Sequence, residues 1–358
     1  MADEARLSEI IGLLAAECGF SACGVAPTGP IEQAEGFRHW LTRGYHAEMV
    51  YMADHLNERL CPQLLVPGAR SVLCLAVGYA PSEGTGEDAH AEPAEAFVAR
   101  YARRRDYHKD LKRRCHRLMD RIRRMDPSFQ GRAFVDTAPV AERSLAAAAG
   151  LGWIGRNGCL IVPGYGSYVL LCEVVCNLPA APGRPVAGAC EDCGACVRAC
   201  PTKAIVAPAV VDSSRCLSYL TLENRGRIPR RLWPHVGNRV IGCDACQAAC
   251  PHNQGLRPTP ADPIPPGADL HRTPLTEILA WSRDDWDLAT RGSATRRATW
   301  EMFQRNSLIA AGNACRRADV TDEQKRTLRR GIAALGRRRS QWDELIDWAA
   351  GSTGEQVG

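Results

Sequence analysis

At 358 residues the chain is long enough for two or three domains and a generous buried core. Hydrophobic residues make up 45% and charged residues 24%, ordinary values for a soluble globular protein. No run approaches the roughly 20 apolar residues of a membrane span, so a membrane partner is excluded and a cytosolic, monomeric protein is expected.

The net charge of +5 conceals an asymmetry. Residues 1–99 hold five Lys/Arg against fourteen Asp/Glu, whereas residues 100–124 hold twelve Lys/Arg against three Asp. A run of this kind is usually a solvated helix face. Its density here, from Arg103 to Arg105 and on through Arg124, favours contact with a polyanion, nucleic acid first.

In chain order, Met1 to Phe20 reads as an amphipathic helix, with Leu7, Ile10, Ile11 and Leu14 on one side. It lacks the basic start and continuous apolar run of a signal peptide. Apolar runs at Val72–Val77, Ala133–Val135, Leu160–Val162 and Tyr168–Val175 predict buried strands. Helical patterns at Asp110–Met125 and Ala141–Ala149 lie between them. A Pro/Ala/Gly-rich loop, Leu178 to Ala189, leads into a cysteine module, and a second linker, Pro258 to Gly267, leaves it. Beyond lie helical patterns near Pro274–Trp281, Thr295–Asn313, Asp322–Leu335 and Gln341–Ala349, consistent with a small α-solenoid piece.

Seventeen cysteines in a cytosolic chain point to metal or redox chemistry, because disulfides are disfavoured there. Cys74, inside an apolar run, is expected to be a small core residue. Cys190-x2-Cys193-x2-Cys196-x3-Cys200-Pro201 has the bacterial ferredoxin spacing, in which the fourth cysteine ligates the other cluster of a pair. Cys243-x2-Cys246-x3-Cys250-Pro251 has Val240 where its first cysteine would stand, and Cys216 can supply the missing ligand. The simplest division assigns Cys190, Cys193, Cys196 and Cys250 to one [4Fe–4S] cluster and Cys200, Cys216, Cys243 and Cys246 to the other. Two four-cysteine zinc sites are the competing reading, since zinc takes the same ligands. Two motifs ending in Cys-x3-Cys-Pro with swapped pairing argue against it.

Gly150-Leu-Gly152-Trp-Ile-Gly155 matches GxGxxG but follows a helical pattern instead of a strand, which rejects a nicotinamide site. Its glycines are expected to let backbone approach something bulky. Asp106-Tyr-His108 starts like the motif that presents an axial histidine to cobalamin, but Leu111 stands where glycine is required. Asp106 and His108 read equally well as ordinary residues at a helix start.

Several motifs then occur in one order. They are Arg59-x-x-Pro62, Pro67 to Val72, Arg105 to His108, Val135-Asp-Thr-Ala-Pro139, Gly152-Trp-Ile-Gly155, the eight cysteines, Cys216 to Thr221, Gly237-Asn-Arg239 and Gly292 to Arg297. As a set they closely resemble the epoxyqueuosine reductases, from about residue 7 to residue 315. The resemblance implies an α+β multidomain chain. A cobalamin-binding α/β domain related to reductive dehalogenases would occupy 1–180, a ferredoxin-like domain with two [4Fe–4S] clusters 181–260, and HEAT-like helices that hold tRNA 261–358. It implies removal of the epoxide oxygen of epoxyqueuosine at a tRNA wobble position, with two electrons and two protons, cobalamin as second cofactor and an external low-potential electron donor.

On that resemblance Asp136 is the candidate acid for the departing oxygen, with helix capping as its structural alternative. Arg59, Ser218 and Asp244 are candidate cobalamin contacts, against a surface ion pair for Arg59 and turn chemistry for the other two. The 100–124 run and Arg296-Arg297 are the candidate tRNA phosphate contacts. Two positions depart from the family pattern: Arg156 stands where Lys is usual, and His252 where Trp is common. A cobalamin-dependent dehalogenase of a small organohalide and a ferredoxin-type electron carrier are the rival readings. The basic run is hard to justify for a small neutral organohalide, and an electron carrier leaves residues 1–180 without a purpose.

Overall fold

The computed structural model describes residues 2–80, 91–188, 190, 192–257, 269–337 and 342–351. The expected linker Pro258 to Gly267 lies outside the described residues. The first part of the chain runs α1 (Ala2–Glu17), β1 (Ala22–Ala26), α2 (Ala34–Thr42), α3 (Leu56–Leu60), β2 (Ser71–Gly78), β3 (Phe97–Val98) and α4 (Tyr107–Met125). It continues with β4 (Gly131–Phe134), α5 (Glu142–Ala148), β5 (Trp153–Ile154), β6 (Leu160–Ile161) and β7 (Val169–Cys176).

Four strands form one antiparallel sheet in the order β1-β2-β7-β4. All eight residues of β2 are buried, which is why its sequence is continuously apolar and does not alternate. One face packs under α1 and α4 through Ile11, Leu73, Leu75, Leu111, Leu118 and Val174. The other carries α5 and α3 through Leu60, Val72, Cys74, Leu145, Ala146 and Val175. Each buried Leu, Val or Ile contributes about 1.5–3 kcal/mol, so the two faces together pin the register. Cys74 is fully buried, as expected of a core residue.

The remainder contains α6 (Ala195–Ala199), β8 (Ile205–Ala207), β9 (Val210–Val211), α7 (Leu217–Leu222), α8 (Trp233–Val236), β10 (Arg239–Ile241) and α9 (Ala245–Ala248). Five helices follow: α10 (Leu275–Ala280), α11 (Arg283–Thr290), α12 (Trp300–Arg316), α13 (Asp322–Gly336) and α14 (Asp343–Ala350). A third core joins these helices to the cysteine module, with Leu217, Leu220, Trp233, Val240, Phe303, Leu308, Leu328 and Trp348 in one cluster. Ala96, Val98 and Ala102 also belong to it, because β3 pairs in parallel with β10. Buried Arg305 on α12 fastens the two parts: its guanidinium donates to the carbonyls of Leu220 (2.7 Å), Asn224 (2.9 Å) and Gly226. Among the described residues no helix is long and apolar enough to cross a membrane.

The Gly150–Gly155 segment follows α5 and contains strand β5 of the β5–β6 hairpin, so no helix follows it. Its glycines serve the protein's own backbone. A Cβ on Gly152 would stand 1.9 Å from the Ile161 carbonyl oxygen, and one on Gly150 2.5 Å from that of Arg184. This corrects the expectation that they make room for a bulky ligand.

Candidate functional site

Asp136 follows β4 at the apex of a three-residue turn, in which the Thr137 N–H donates to the Val135 carbonyl at 2.6 Å. Its φ is +53°, a left-handed conformation that Asp tolerates better than most residues. The turn pushes the carboxylate outward, leaving the side chain 55% exposed. It does not cap α5, whose first flanking residue is Ala141 and has no side-chain cap. Instead the Asp136 N–H donates to Glu142 Oε1 at 2.8 Å, which anchors the turn to the helix start.

Asp106 is the cap of α4, accepting from the His108 N–H at 3.0 Å. The same oxygen lies 2.5 Å from His108 Nδ1, while His108 Nε2 lies 3.0 Å from Asp136 Oδ2. The helix-start reading of this pair therefore holds, and the imidazole also joins the cap to Asp136. Held first by Asp106 and then by Asp136, the imidazole is pushed up to about 9 and is cationic at neutral pH. Glu142 moves the other way in charge: burial, reinforced by Asp136, raises its carboxyl to about 7. Under it on β7, Glu173 is fully buried and neither carboxyl oxygen has a hydrogen-bond partner among the described residues. Burial raises its pKa and keeps it neutral.

Arg59 sits on α3, buried, donating from Nη2 to the Tyr51 carbonyl at 3.1 Å. Its Nε is buried without a partner among the described residues, and burial depresses its pKa. It is thus no surface ion pair, and its charge is felt with those of Tyr51 and Glu142. Val50, Tyr51 and Leu64, all exposed large side chains, flank it in sequence. An orphaned guanidinium nitrogen within the field of a carboxylate, on a segment with exposed apolar side chains, fits a broad macrocycle carrying amide arms, such as cobalamin.

Cys190, Cys193, Cys196 and Cys250 line one narrow cavity together with Arg156, Asn157 and His252. Burial raises the Cys250 thiol, and Cys190, Cys196 and Cys193 add to the push. Cys216 is pushed up to about 11 by burial, with Cys243 and Cys200 adding, and Cys246 feels Cys243 and Cys216. The first cavity thus gathers four of the eight cysteines, while Cys216, Cys200, Cys243 and Cys246 lie within electrostatic reach of one another, with Cys159 against Cys246. Among the described residues no three or more His, Cys, Asp or Glu gather around a point for a single ion. A cubane, with iron at separate corners, needs thiolates spread around a volume instead. Both departures from the family pattern border the first set: Arg156 lies 3.8 Å from Asp192, and His252 meets Trp153 edge-on at 5.0 Å.

Ser218 lies in the first turn of α7, where its N–H and that of Tyr219 are directed at the Cys216 sulfur. Asp244 is 5% exposed and accepts from the Arg100 N–H at 2.7 Å and from Gln247 Nε2 at 3.3 Å. Burial raises its carboxyl, and Arg103, Arg100 and Arg239 counter that rise. Both residues thus support the second cysteine set. Tyr101, half-buried, is pushed up by burial and by the charges of Asp244 and Asp136.

Much of the basic run is committed to the fold. Arg114 donates to Asp110 (2.7 Å) and the Gly19 carbonyl (2.6 Å), Arg117 to the Cys18 carbonyl, Arg121 to Glu17 and Arg123 to Asp120. Lys112 and Arg124 stay exposed without an ion pair among the described residues. Arg296 pairs with Asp287 and Arg297 with Glu223. Glu142, Glu223 and Tyr51 were not singled out in the sequence. Of these only Glu142, which follows shortly after Pro139 and opens a helix, carried a local signal.

The family model described as "Epoxyqueuosine reductase QueG, DUF1730" matches residues 59–137, and the "4Fe-4S double cluster binding domain" matches residues 189–253. A curated epoxyqueuosine reductase of Pseudomonas aeruginosa is 40% identical over 355 residues, covering 99% of this chain and 96% of its own. That of Escherichia coli is 39% identical, covering 86% and 82%. Among solved structures, an epoxyqueuosine reductase with a modified tRNA-Tyr stem loop superposes with a TM-score of 0.78 at 25% identity, covering 98% of this chain and 95% of that one. With an acid turn, two cysteine neighbourhoods and near-full-length identity of this order, the chain belongs to the epoxyqueuosine reductase family.

Proposed function

We propose that this protein reduces the epoxide of epoxyqueuosine in tRNA to the alkene of queuosine, consuming two electrons and two protons and releasing water. The observation that carries this reading is the Asp106–His108–Asp136 line, a carboxylate–imidazole–carboxylate chain ending on an exposed oxygen. At neutral pH the transferable proton of the pair rests on His108, and Asp136 passes it to the departing oxygen. Asp106 holds Nδ1 and keeps Nε2 aimed at Asp136. His108, 31% exposed, can be recharged from solvent, which provides the second proton of the cycle.

Arg59 would meet cobalamin through its orphaned Nε, and Ser218 and Asp244 would approach it from beside the second cysteine set. Cobalamin, when bound, supplies a strongly reducing metal centre, and the two clusters supply electrons singly. An external low-potential donor feeds the clusters, and the enzyme works as a monomer on tRNA. Domain limits at about 180 and 260 belong to the same reading, with Ala96, Val98 and Ala102 packing into the third core.

The test is a competition of substrates. Given cobalamin and a low-potential reductant without oxygen, the protein removes one oxygen from the modified nucleoside of epoxyqueuosine tRNA and leaves a small aryl halide intact. Dehalogenation without action on tRNA would replace this reading with the dehalogenase one.

A further inference from the structure

Three segments distant in sequence meet beside the acid turn. Arg297, from the turn before α12, donates from Nε and Nη2 to the two carboxylate oxygens of Glu223, each at 2.6 Å. Glu223 ends α7 of the cysteine module. The Arg297 guanidinium stands 5.8 Å from the centre of the Tyr51 ring, and Tyr51 in turn has its carbonyl held by Arg59. The charge of Asp136 is felt at both Tyr51 and Arg297, so the group lies within electrostatic reach of that carboxylate.

A bland reading makes this an ion pair that ties the parts together. Three features go beyond that. Tyr51 is 42% exposed although its carbonyl is held by buried Arg59, which leaves an aromatic face open beside the acid. The fork–fork geometry fixes the plane of the carboxylate, and Glu223 remains 20% exposed. Arg297 takes the inner acceptor direction of each oxygen, and the outer direction of one oxygen is the one a base edge can reach.

An unpaired nucleobase is recognised by stacking on an aromatic ring and by hydrogen bonds along its Watson–Crick edge. A guanine-type edge presents two adjacent donors, the ring N–H and the 2-amino group. A fixed carboxylate oxygen can accept both donors at once through its outer lone pair, and no other standard base offers the pair.

We propose that Glu223, oriented by Arg297, reads the guanine-type edge of the base entering the site while Tyr51 stacks on it. This inference rests on the tRNA reading above and names the specificity-determining residues of that site. Epoxyqueuosine keeps the guanine-type edge, so reading that edge seats the modified base without contacting the epoxide itself.

The experiment compares binding of two anticodon stem-loops to the cluster-loaded protein, with guanosine or inosine at the wobble position. Inosine lacks only the 2-amino group. Wild type should bind the inosine loop about tenfold more weakly, the scale of one hydrogen bond to a charged group. Glu223→Gln should weaken the guanosine loop and bring the ratio near one, whereas Tyr51→Leu should weaken both loops alike. Equal binding of the two loops by wild type, which needs no variant to fold, would overturn the inference; so would a Glu223→Gln protein of normal iron content that keeps the wild-type ratio. Oxygen removal from epoxyqueuosine tRNA is scored separately on the same wild-type sample. Turnover without base discrimination refutes this inference alone, and discrimination without turnover refutes the function instead.

Discussion

Replacing Asp136 by Asn separates chemistry from architecture. The apex of the turn has φ +53°, and Asn is one of the few residues besides Gly that accepts this region. Its amide oxygen can still accept from His108 Nε2, and the Asp136 N–H bond to Glu142 belongs to the backbone. The side chain is 55% exposed, so unfolding free energy should change by less than about 0.5 kcal/mol. What is lost is the carboxyl oxygen that passes a proton. General acid catalysis contributes about 10²–10⁴-fold, so kcat should fall by that factor, about 3–5 kcal/mol, while KM for tRNA stays near wild type. Asp136→Ala should be equally inactive but less stable by roughly 1 kcal/mol, because Ala resists the left-handed turn. Anaerobic single-turnover kinetics with nucleoside mass spectrometry reads the first effect and thermal unfolding the second. Wild-type kcat in Asp136→Asn would refute the proton-delivery argument.

His108 should titrate near pH 9 by NMR, and Asp136→Asn should lower that midpoint by removing one of its two carboxylate partners. Because the folded value lies above the usual one near 6.5, the stability this group adds is complete below pH 6.5 and is lost as pH rises through about 9. Turnover should fall over the same alkaline range, and a midpoint near 6.5 in wild type would contradict the site geometry. Cys193→Ala and Cys216→Ala should each remove a different cluster, lowering iron from about eight to about four per chain. Loss of all iron from both, or of none, would argue against the division. Lys112→Glu should flatten the salt dependence of tRNA binding by about one unit of slope or a little less, whereas Arg121→Glu, already paired with Glu17, should act mainly on stability. Identical slopes in the two variants would count against the contact.

Strands β2, β6 and β7 and helices α1, α4, α5, α10, α12 and α13 were legible because burial on both faces or on one helical stripe writes itself into periodicity. The short edge strand β1 was not, since Ala22–Ala26 carries little apolar signal of its own. Pairing of β3 with β10 could not be read either, because strands of two and three residues depend on tertiary context. The proposed cysteine division came from spacing alone, since short loops leave few ways to close two sites. Asp106 and His108 showed their helix start locally, but the link to Asp136, 28 residues away, exists only in the fold. The same holds for Tyr51, Glu223 and Arg297, and for the internal partners that absorb much of the basic run.

The most direct test gives cluster-loaded protein, reductant and epoxyqueuosine tRNA, with cobalamin either supplied or withheld, and reads the nucleosides by mass spectrometry. The account predicts loss of one oxygen only when cobalamin is present. Conversion that proceeds equally without cobalamin, or no conversion by protein with both clusters intact, would contradict it.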